Sequence, residues 1–430
     1  MNSAYLTFID DFLWAYIAIP AIMLMGFYLS YRYGFKQITE FPKIFKEFWD
    51  CCYTQSSERS EGIHPVQAFF TTMGGCIGVG NLVAVCTAVR IGGPGALFWM
   101  WITALIGMTV KYAEVSLSMK SRVIDSKGGY NGGPMYYISH SLAPALGTLF
   151  AVLLAIYGIE VYMFKVVVQT ISNTWAIQIN YVVAALLALV IYAVQGGAKR
   201  VGELCSILIP VFVAVFLFMS LWIIAINYQL IPQMLLMIIQ SAFKGHAPIG
   251  AFAGSTVVLA LSQGVKRACY TGDIGVGYAG VVCAQAHEDH PEQQARFTYL
   301  GIFLDTFVVC TLSILLILVT DTWVLDIPDS QKVMYVLAEY FPAVNVFMPL
   351  FIFMLGYSTI VAFFHVGLCC ADYISERYGR YVYYFYALCA FTTFSYLDEG
   401  YALLVMNICG ALMLILNLLA IYKKRYTLSM

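Results

Sequence analysis

Long runs of apolar residues, separated by short charged segments, dominate the pattern of this chain. About 20 consecutive apolar residues are enough for a helix to cross a bilayer. Charge-poor windows therefore predict eleven transmembrane helices in one all-α, polytopic membrane domain that covers residues 1–430. The predicted spans are 12–32, 65–89, 95–119, 143–170, 179–196, 204–227, 247–282, 297–320, 345–373, 381–397 and 401–422.

Composition supports the same class. Of 430 residues, 61% are hydrophobic and 11% are charged, and the mean hydropathy is +0.79. These values exclude an ordinary soluble domain. We expect the lipid bilayer and a small molecule as partners, and no nucleic acid. Most of the 12 cysteines lie singly inside apolar spans, where they are typical of small hydrophobic residues rather than of a disulfide framework.

Basic residues alternate between the two sets of loops. Most of the 23 lysines and arginines fall in the loops after the odd-numbered spans and in the C-terminal tail, whereas the other loops are poor in them. Cytoplasmic loops carry the excess of Lys and Arg. The alternation predicts an N-terminus outside the cell and a C-terminus in the cytoplasm.

Two glycine-rich strings lie inside apolar spans, at 74–81 and at 250–256. Glycine destabilises a helix by about 1 kcal/mol relative to alanine, so each cluster predicts a break in its span. Freed backbone groups survive in a membrane only beside a cavity or inside protein. Paired breaks in two halves indicate the binding site of a secondary transporter.

The two predicted breaks divide the chain into similar halves. Five spans lie in 65–227 and five in 247–422, so the second half is inverted relative to the first. This arrangement predicts a five-plus-five inverted repeat with a site near the bilayer midplane. The span at 12–32 then becomes a peripheral helix.

The first break contains candidate substrate ligands. In a membrane core, the carboxylate of a zwitterion needs N–H donors and its ammonium needs acceptors, which half-helix ends and unwound carbonyls supply. Glycine backbones allow a ligand to approach closely. We therefore predict Gly74, Gly75, Gly78 and Asn81 as substrate-binding residues, with the Asn81 amide holding the break open. Tight helix packing by small residues is the alternative.

The second string offers Phe252, Ser255 and Thr256. We expect Phe252 to bound the pocket for the substrate side chain, unless it serves only in packing. We expect the hydroxyl of Ser255 or Thr256 to accept a hydrogen bond from the substrate ammonium.

Ser358 and Thr359 are adjacent hydroxyls in the ninth span. Oxygen ligands suit a hard cation, so these two residues and the carbonyls of Gly75 and Gly78 are the candidates for binding Na⁺. Hydrogen bonding to the preceding helical turn is the alternative. Phe363 lies one turn further on the same face and is predicted to line the pocket.

Charged residues inside membrane spans indicate function by default. Lys165 is able to replace or supplement a cation site, which makes coupling to protons possible; snorkelling to an interface or pairing with Glu160 are the alternatives. Asp305 either pairs across helices or lies on a polar pathway. Lys111 and Glu114 are i,i+3 neighbours and predict a structural ion pair.

Several strings resemble the sodium:alanine/glycine symporter family, in order and spacing across nearly the whole chain. They are Gly78-Val79-Gly80-Asn81, Gly92-Gly93-Pro94-Gly95-Ala96-Leu97-Phe98-Trp99-Met100-Trp101, Lys111-Tyr112-Ala113-Glu114, Gly132-Gly133-Pro134-Met135-Tyr136-Tyr137-Ile138, Asp289-His290-Pro291, Leu304-Asp305-Thr306 and Tyr357-Ser358-Thr359-Ile360. The resemblance implies an eleven-helix transporter of the leucine-transporter type. It also implies cation-driven uptake of small neutral amino acids, in the inner membrane of a prokaryote, and we expect a monomer.

The departures from the family cluster near the expected site. Residues 270–275 replace a Phe-Ser-Asn-Glu-Ala-Gly string, and Ala362-Phe363 replaces Gly-Trp. Leu368 stands for a glutamate, and 161–165 replaces a polar Gly-Asn-Met-x-Gln pattern. These changes affect the residues on which substrate choice and sodium dependence rest.

The leading hypothesis is a secondary symporter for an amino acid such as alanine or glycine, driven by Na⁺, with no organic cofactor and no catalytic residue. A proton-coupled or sodium-independent permease that uses Lys165 is the second. A channel requires a filter-like string, and a membrane-embedded enzyme requires a nucleophile–base or metal constellation. The sequence shows neither of these patterns.

Overall fold

The fold is described from a computed structural model over residues 3–53, 62–124, 129–244, 256–288, 290–395 and 399–428. Of the described residues, 84% are helical. In the described part, the strands are one short antiparallel pair, β1 Val123–Ile124 and β2 Tyr130–Asn131.

The first half of the chain forms helices α1–α12. They are α1 Ser3–Phe12, α2 Ile19–Arg32, α3 Lys36–Thr39, α4 Phe41–Tyr53, α5 Pro65–Cys76, α6 Gly80–Gly92, α7 Ala96–Lys120, α8 Pro134–Ser141, α9 Pro144–Tyr157, α10 Val161–Trp175, α11 Ile179–Gln195 and α12 Gly197–Ile226. A π-helical segment, Leu13–Ala18, joins α1 to α2.

The second half forms helices α13–α21. They are α13 Ile231–Lys244, α14 Val257–Thr271, α15 Tyr278–Ala284, α16 Pro291–Ile302, α17 Thr311–Val319, α18 Asp329–Tyr340, α19 Val344–Ile374, α20 Gly379–Phe394 and α21 Glu399–Lys424. A π-helical segment, Phe303–Cys310, joins α16 to α17, and single 3₁₀ turns lie at Tyr228–Leu230 and Thr322–Val324.

Length and apolar composition identify seven membrane-crossing helices within the described residues, and α5 with α6 makes an eighth crossing bent by 40°. The structure therefore confirms an all-helical polytopic fold, whereas the count of eleven spans stays a prediction. The difference arises because several predicted spans are short or interrupted. α11 has 17 residues, and the span at 247–282 contains the separate helices α14 and α15.

Three interruptions fall inside predicted spans. The first, between α5 and α6, leaves 77–79 outside both helices, as the glycine string predicted. The second lies between α9 and α10 at 158–160 and was not predicted. The third lies between α14 and α15 at 272–277, which is further along the chain than the predicted string at 250–256.

The predicted string itself lies mostly outside the described residues. Thr256 is described, is exposed, and accepts a hydrogen bond from the Leu259 N–H (3.2 Å) as the N-cap of α14. From Val257 to Thr271 the helix is continuous. The break that the structure describes in this span is therefore the one at 272–277.

The two broken helices cross in opposite directions. The leading half α5 packs against the trailing half α15, and α6 packs against α14. α7 packs along α14, α15 and α16, while α19 packs against α5, α9, α10 and α12. The breaks at 77–79 and 272–277 are thereby brought to the same region of the bundle.

Candidate functional site

A small cavity, with a volume of about 10 Å³, lies where the broken helices meet. The first break supplies Gly75, Cys76, Gly78, Gly80 and Asn81 to its wall. The remaining lining residues come from three other helical segments. They are Tyr157, Glu160 and Met163 around the α9–α10 break, Tyr270 and Thr271 at the end of α14, and Thr359 and Phe363 on α19.

The glycines of the first break allow close helix contact. A Cβ on Gly78 would lie 2.9 Å from Thr359 Oγ1, and one on Gly74 would lie 2.8 Å from Cys205 Sγ. A Cβ on Gly75 would collide with the ring of Tyr278. Tight packing and exposure to the cavity therefore coexist at Gly75 and Gly78.

The break also reroutes backbone hydrogen bonds. In a continuous helix the Gly78 N–H would donate to Gly74 O, four residues earlier. Here the Gly78 N–H donates to Asn81 Oδ1 (3.1 Å). The hydroxyl of Thr359 donates to Gly74 O (2.8 Å), with Leu355 O as a second acceptor at 3.1 Å. Side chains thus satisfy the backbone groups that the break releases.

Asn81 connects the break to Asp305. Its Nδ2 donates to Asp305 Oδ1 (2.5 Å) and to Cys310 Sγ (3.3 Å). Asp305 Oδ2 also accepts from the Thr306 hydroxyl (2.9 Å), and Asp305 is fully buried. Its side chain lies in the π-helical segment, a conformation that is frequent at functional sites. Asp305 is one hydrogen bond from the cavity and pairs with an amide rather than with a cation.

Ser358 differs from its neighbour Thr359. Its buried hydroxyl donates to Leu355 O (2.9 Å), three residues earlier in α19. Thr359 is the one of the two whose hydroxyl bonds to the first break and whose side chain lines the cavity.

The break at 272–277 is built around buried charge. Lys111 Nζ donates to Gly272 O (2.7 Å) and Cys76 Sγ (3.2 Å), and lies 3.7 Å from Asp273 Oδ2. Asp273 Oδ2 also accepts from the Ala279 N–H at 2.8 Å. Lys111 and Asp273 are each 2% exposed, so their charges are almost completely removed from solvent.

Glu114 contacts the same break at another point. Its two oxygens accept from the Gly280 N–H (3.3 Å) and from Asn417 Nδ2 (2.7 Å), and Asn417 also donates to Gly275 O (2.9 Å). The predicted pairing of Lys111 with Glu114 therefore gives way to an ion pair of Lys111 with Asp273. The reason is that α7 packs along the break, where backbone and side-chain partners from other helices lie closer.

Aromatic rings close one side of the cavity. Phe363 packs on Tyr278, with ring centroids 4.1 Å apart, and meets Tyr157 edge-on at 5.7 Å. Tyr157 in turn meets Tyr270 at 6.4 Å. Phe363 lines the cavity, and its role in binding the substrate stays a prediction.

Other candidates lie elsewhere. Lys165 is nearly buried on α10 but is not a cavity-lining residue. Phe252 and Ser255 lie outside the described residues, and Thr256 is exposed at the start of α14.

Seven lining residues were not assigned to the site from the sequence, namely Cys76, Gly80, Tyr157, Glu160, Met163, Tyr270 and Thr271. For two of these residues the sequence did contain a signal of a functional role. Glu160 is an acid within an apolar span, and Tyr270 begins the segment that departs from the family. The break at 272–277 also had a signal. Its Gly-x-Ile-Gly-Val-Gly string repeats that of residues 75–80.

Interrupted helices that cross around a partly polar cavity, inside a bundle of long apolar helices, define a secondary transporter. The model of the sodium:alanine symporter family matches residues 1–425. The chain belongs to this family, as the sequence strings indicated, and its relatives are transporters rather than enzymes.

Relatives with printed transporter names support this family assignment. The sodium/alanine symporter AgcS of Methanococcus maripaludis is 31% identical over 384 residues, which cover 86% of this chain and 83% of AgcS. The amino-acid carrier protein AlsT of Bacillus subtilis is 30% identical over 369 residues, and this alignment covers 83% of this chain and 76% of AlsT.

Solved structures share the fold. MhsT in complex with L-phenylalanine superposes with a TM-score of 0.57 at 14% identity, over 84% of this chain and 89% of MhsT. A manganese transporter of Eremococcus coleocola gives 0.55 at 15% identity, over 81% and 75% of the two chains. The fold is that of leucine-transporter-type carriers.

Proposed function

We propose that this chain carries a small neutral amino acid, such as alanine or glycine, together with Na⁺ by alternating access. Family membership supports symport of this kind. The observation that carries the proposal is the cavity between the breaks, which is lined by the glycines and Asn81 of the first break and by Thr359 of α19, whose hydroxyl bonds to Gly74 O.

The substrate assignment rests on the two sides of this cavity. α6 begins at Gly80, and although the N–H groups of Asn81, Leu82 and Val83 donate to Gly78 O and Val79 O, the N–H groups at the start of a helix favour nearby negative charge. They suit the substrate carboxylate. Phe363, Tyr157 and Tyr270 line the same cavity with large rings, which favour a substrate with a small side chain.

The sodium assignment rests on oxygen atoms near the first break. The hydroxyl of Thr359 and the carbonyls of Gly75 and Gly78 are the ligands that we assign to Na⁺, since unwound carbonyls bind this ion in such folds. Ser358 is a weaker candidate because its hydroxyl bonds within α19. A permease that uses protons, with Lys165 in place of the cation, is the competing proposal.

We also propose the layout predicted from the sequence. Eleven spans would comprise a peripheral helix at 12–32 and inverted repeats at 65–227 and 247–422, with the N-terminus outside and the C-terminus in the cytoplasm of a prokaryote. The antiparallel pairing of α5 with α15 and α6 with α14 supports the inversion. The protein is proposed to act as a monomer. Cysteine accessibility at both termini in intact cells tests the orientation.

Transport by the purified protein in liposomes tests the function. Labelled alanine should accumulate against its gradient when Na⁺ is imposed outside, and the accumulation should vanish when choline replaces Na⁺ at a fixed proton gradient. Accumulation that persists in choline and follows the proton gradient would overturn sodium coupling and favour the permease. Failure to accumulate any small neutral amino acid under either gradient would overturn the substrate assignment.

A further inference from the structure

Glu160 has an unusual backbone conformation. It precedes α10 with φ 51° and ψ 43°, in the left-handed region. This conformation costs an L-residue about 1–2 kcal/mol, whereas glycine adopts it freely. Gly158 lies two residues before Glu160, so the break already contains a glycine, whose backbone is less restricted. Strain of this kind concentrates at functional sites.

The burial of the Glu160 side chain is also energetically unfavourable in the absence of a ligand. Glu160 is 2% exposed and lines the cavity, and its Oε2 has no hydrogen-bond partner within the described part of the chain. The same is true of the buried hydroxyl of Tyr270 on the same cavity. Buried polar groups are normally satisfied. Two unsatisfied oxygens on one cavity indicate that a ligand with N–H donors completes the site.

The charge of the cavity identifies this ligand. Among its lining residues in the described structure, Glu160 is the acidic one, and no Lys or Arg lines the wall. Arg267 does not line the wall, and its guanidinium carbon lies 6.0 Å from the centre of the Tyr270 ring. A positively charged group of the substrate would donate hydrogen bonds to the Glu160 carboxylate and would also balance its negative charge within the cavity.

We propose that Glu160, assisted by the hydroxyl of Tyr270, binds the amino group of the transported amino acid. This inference rests on the proposed function and adds the residue that selects for an ammonium. The carboxylate of the substrate then faces the start of α6, and its ammonium faces the α9–α10 break. An ammonium has three N–H donors, enough for Glu160, Tyr270 and one further acceptor.

Competition against labelled alanine tests the assignment with Glu160→Gln, which keeps the side-chain shape and removes its charge. Unlabelled alanine and lactate, in which a hydroxyl replaces the ammonium, serve as competitors. The wild type should prefer alanine strongly. In the variant, alanine should bind at least about tenfold more weakly, as expected for the loss of a charge-assisted hydrogen bond, and its preference over lactate should fall by a similar factor. The Na⁺ concentration for half-maximal uptake should stay unchanged.

A second variant separates ligand binding from backbone strain. Glu160→Gly should raise the thermal stability of the substrate-free protein and still abolish the preference for alanine. Asp321→Gly is the matched control, because exposed Asp321 has φ 53° and does not line the cavity. It should gain stability and keep wild-type uptake. Tyr270→Phe should weaken alanine by a smaller factor than Glu160→Gln.

The outcomes separate this inference from the function on which it rests. If the wild type takes up alanine and Glu160→Gln binds alanine with the same affinity and the same preference over lactate, the inference is overturned and the proposed function stands. A shifted Na⁺ dependence with unchanged preference would assign the carboxylate to the ion and would also overturn it. Absence of amino-acid uptake in the wild type would overturn both.

Discussion

The two crossing breaks share one sequence pattern and differ in structure. Residues 75–80 and 272–277 both read Gly-x-Ile-Gly-Val-Gly, and they differ at the second position, which is Cys76 in one and Asp273 in the other. The first leaves three residues between its helices and the second leaves six. A shared pattern therefore marks where a helix stops, but not how the chain continues.

The glycines also serve different purposes. In the first break, they are required by close contact, since Tyr278 and Thr359 occupy the space that a Cβ would need. In the second, Gly275 and Gly277 have φ values of 77° and 104°, which favour glycine because of the backbone itself. The first break therefore requires glycine because of its neighbours alone, whereas the second requires it because of both its neighbours and its own dihedral angles.

Lys111 connects the two breaks at their point of difference. Its Nζ contacts the side chains of both second-position residues, Cys76 at 3.2 Å and Asp273 at 3.7 Å. The first break is otherwise held by neutral groups, Asn81 and Thr359, whereas the second depends on a buried ion pair. The consequence is an unequal sensitivity to substitution.

The largest effect is expected at the buried ion pair. Asp273→Asn leaves Lys111 without its ion-pair partner, and breaking a buried pair costs about 3–5 kcal/mol. The matched change Cys76→Ala should cost about 1 kcal/mol, because a thiol is a weak acceptor. Unfolding in detergent measures both, and equal losses would contradict the contrast between a charged and a neutral break.

The next largest effect is expected for Gly275→Ala. The variant combines a left-handed φ, at about 1–2 kcal/mol, with a collision against Leu414. The double variant with Leu414→Ala should relieve only the collision. A double-mutant cycle of unfolding free energies measures the coupling. Complete suppression of the Gly275→Ala penalty by the second substitution would show that dihedral strain is absent.

Gly75→Ala should destabilise by about 1–3 kcal/mol through overpacking against Tyr278, and should also reduce uptake because Gly75 lines the cavity. Here no φ penalty exists, so the pair Gly75→Ala with Tyr278→Leu should show the larger coupling of the two cycles. A smaller coupling than that of Gly275 with Leu414 would reverse the comparison.

The smallest effect concerns the hydrogen bond that replaces a helical one at the first break. Thr359→Val should cost about 1 kcal/mol, because Gly74 O loses its donor. Ser358→Ala should cost less than this, since the Ser358 hydroxyl bonds only to its own helix. Thermal unfolding of both variants checks the order, and a larger loss for Ser358→Ala would contradict it.

Part of the site was predictable from residue types. Gly75, Gly78, Asn81 and Thr359 lie on one cavity, since glycines and polar side chains within apolar spans are costly unless they line a polar space, and Phe363 follows Thr359 by one helical turn on the same face. The residues at 250–256 were selected by the same rule, but the repeated string at 272–277 was the more specific signal and was not used. Glycine content alone therefore did not identify the break that the structure describes in this span.

The sequence by itself determined the class of this protein. A bilayer requires long apolar helices with satisfied backbones, so hydropathy and family strings were sufficient to identify a polytopic transporter of the sodium:alanine symporter family. Only the tertiary structure decided which charges meet. Lys111 pairs with Asp273 rather than with Glu114, and Glu160 lies on the cavity while Lys165 does not. These outcomes depend on which helices pack together, and spacing along one helix does not specify its neighbours.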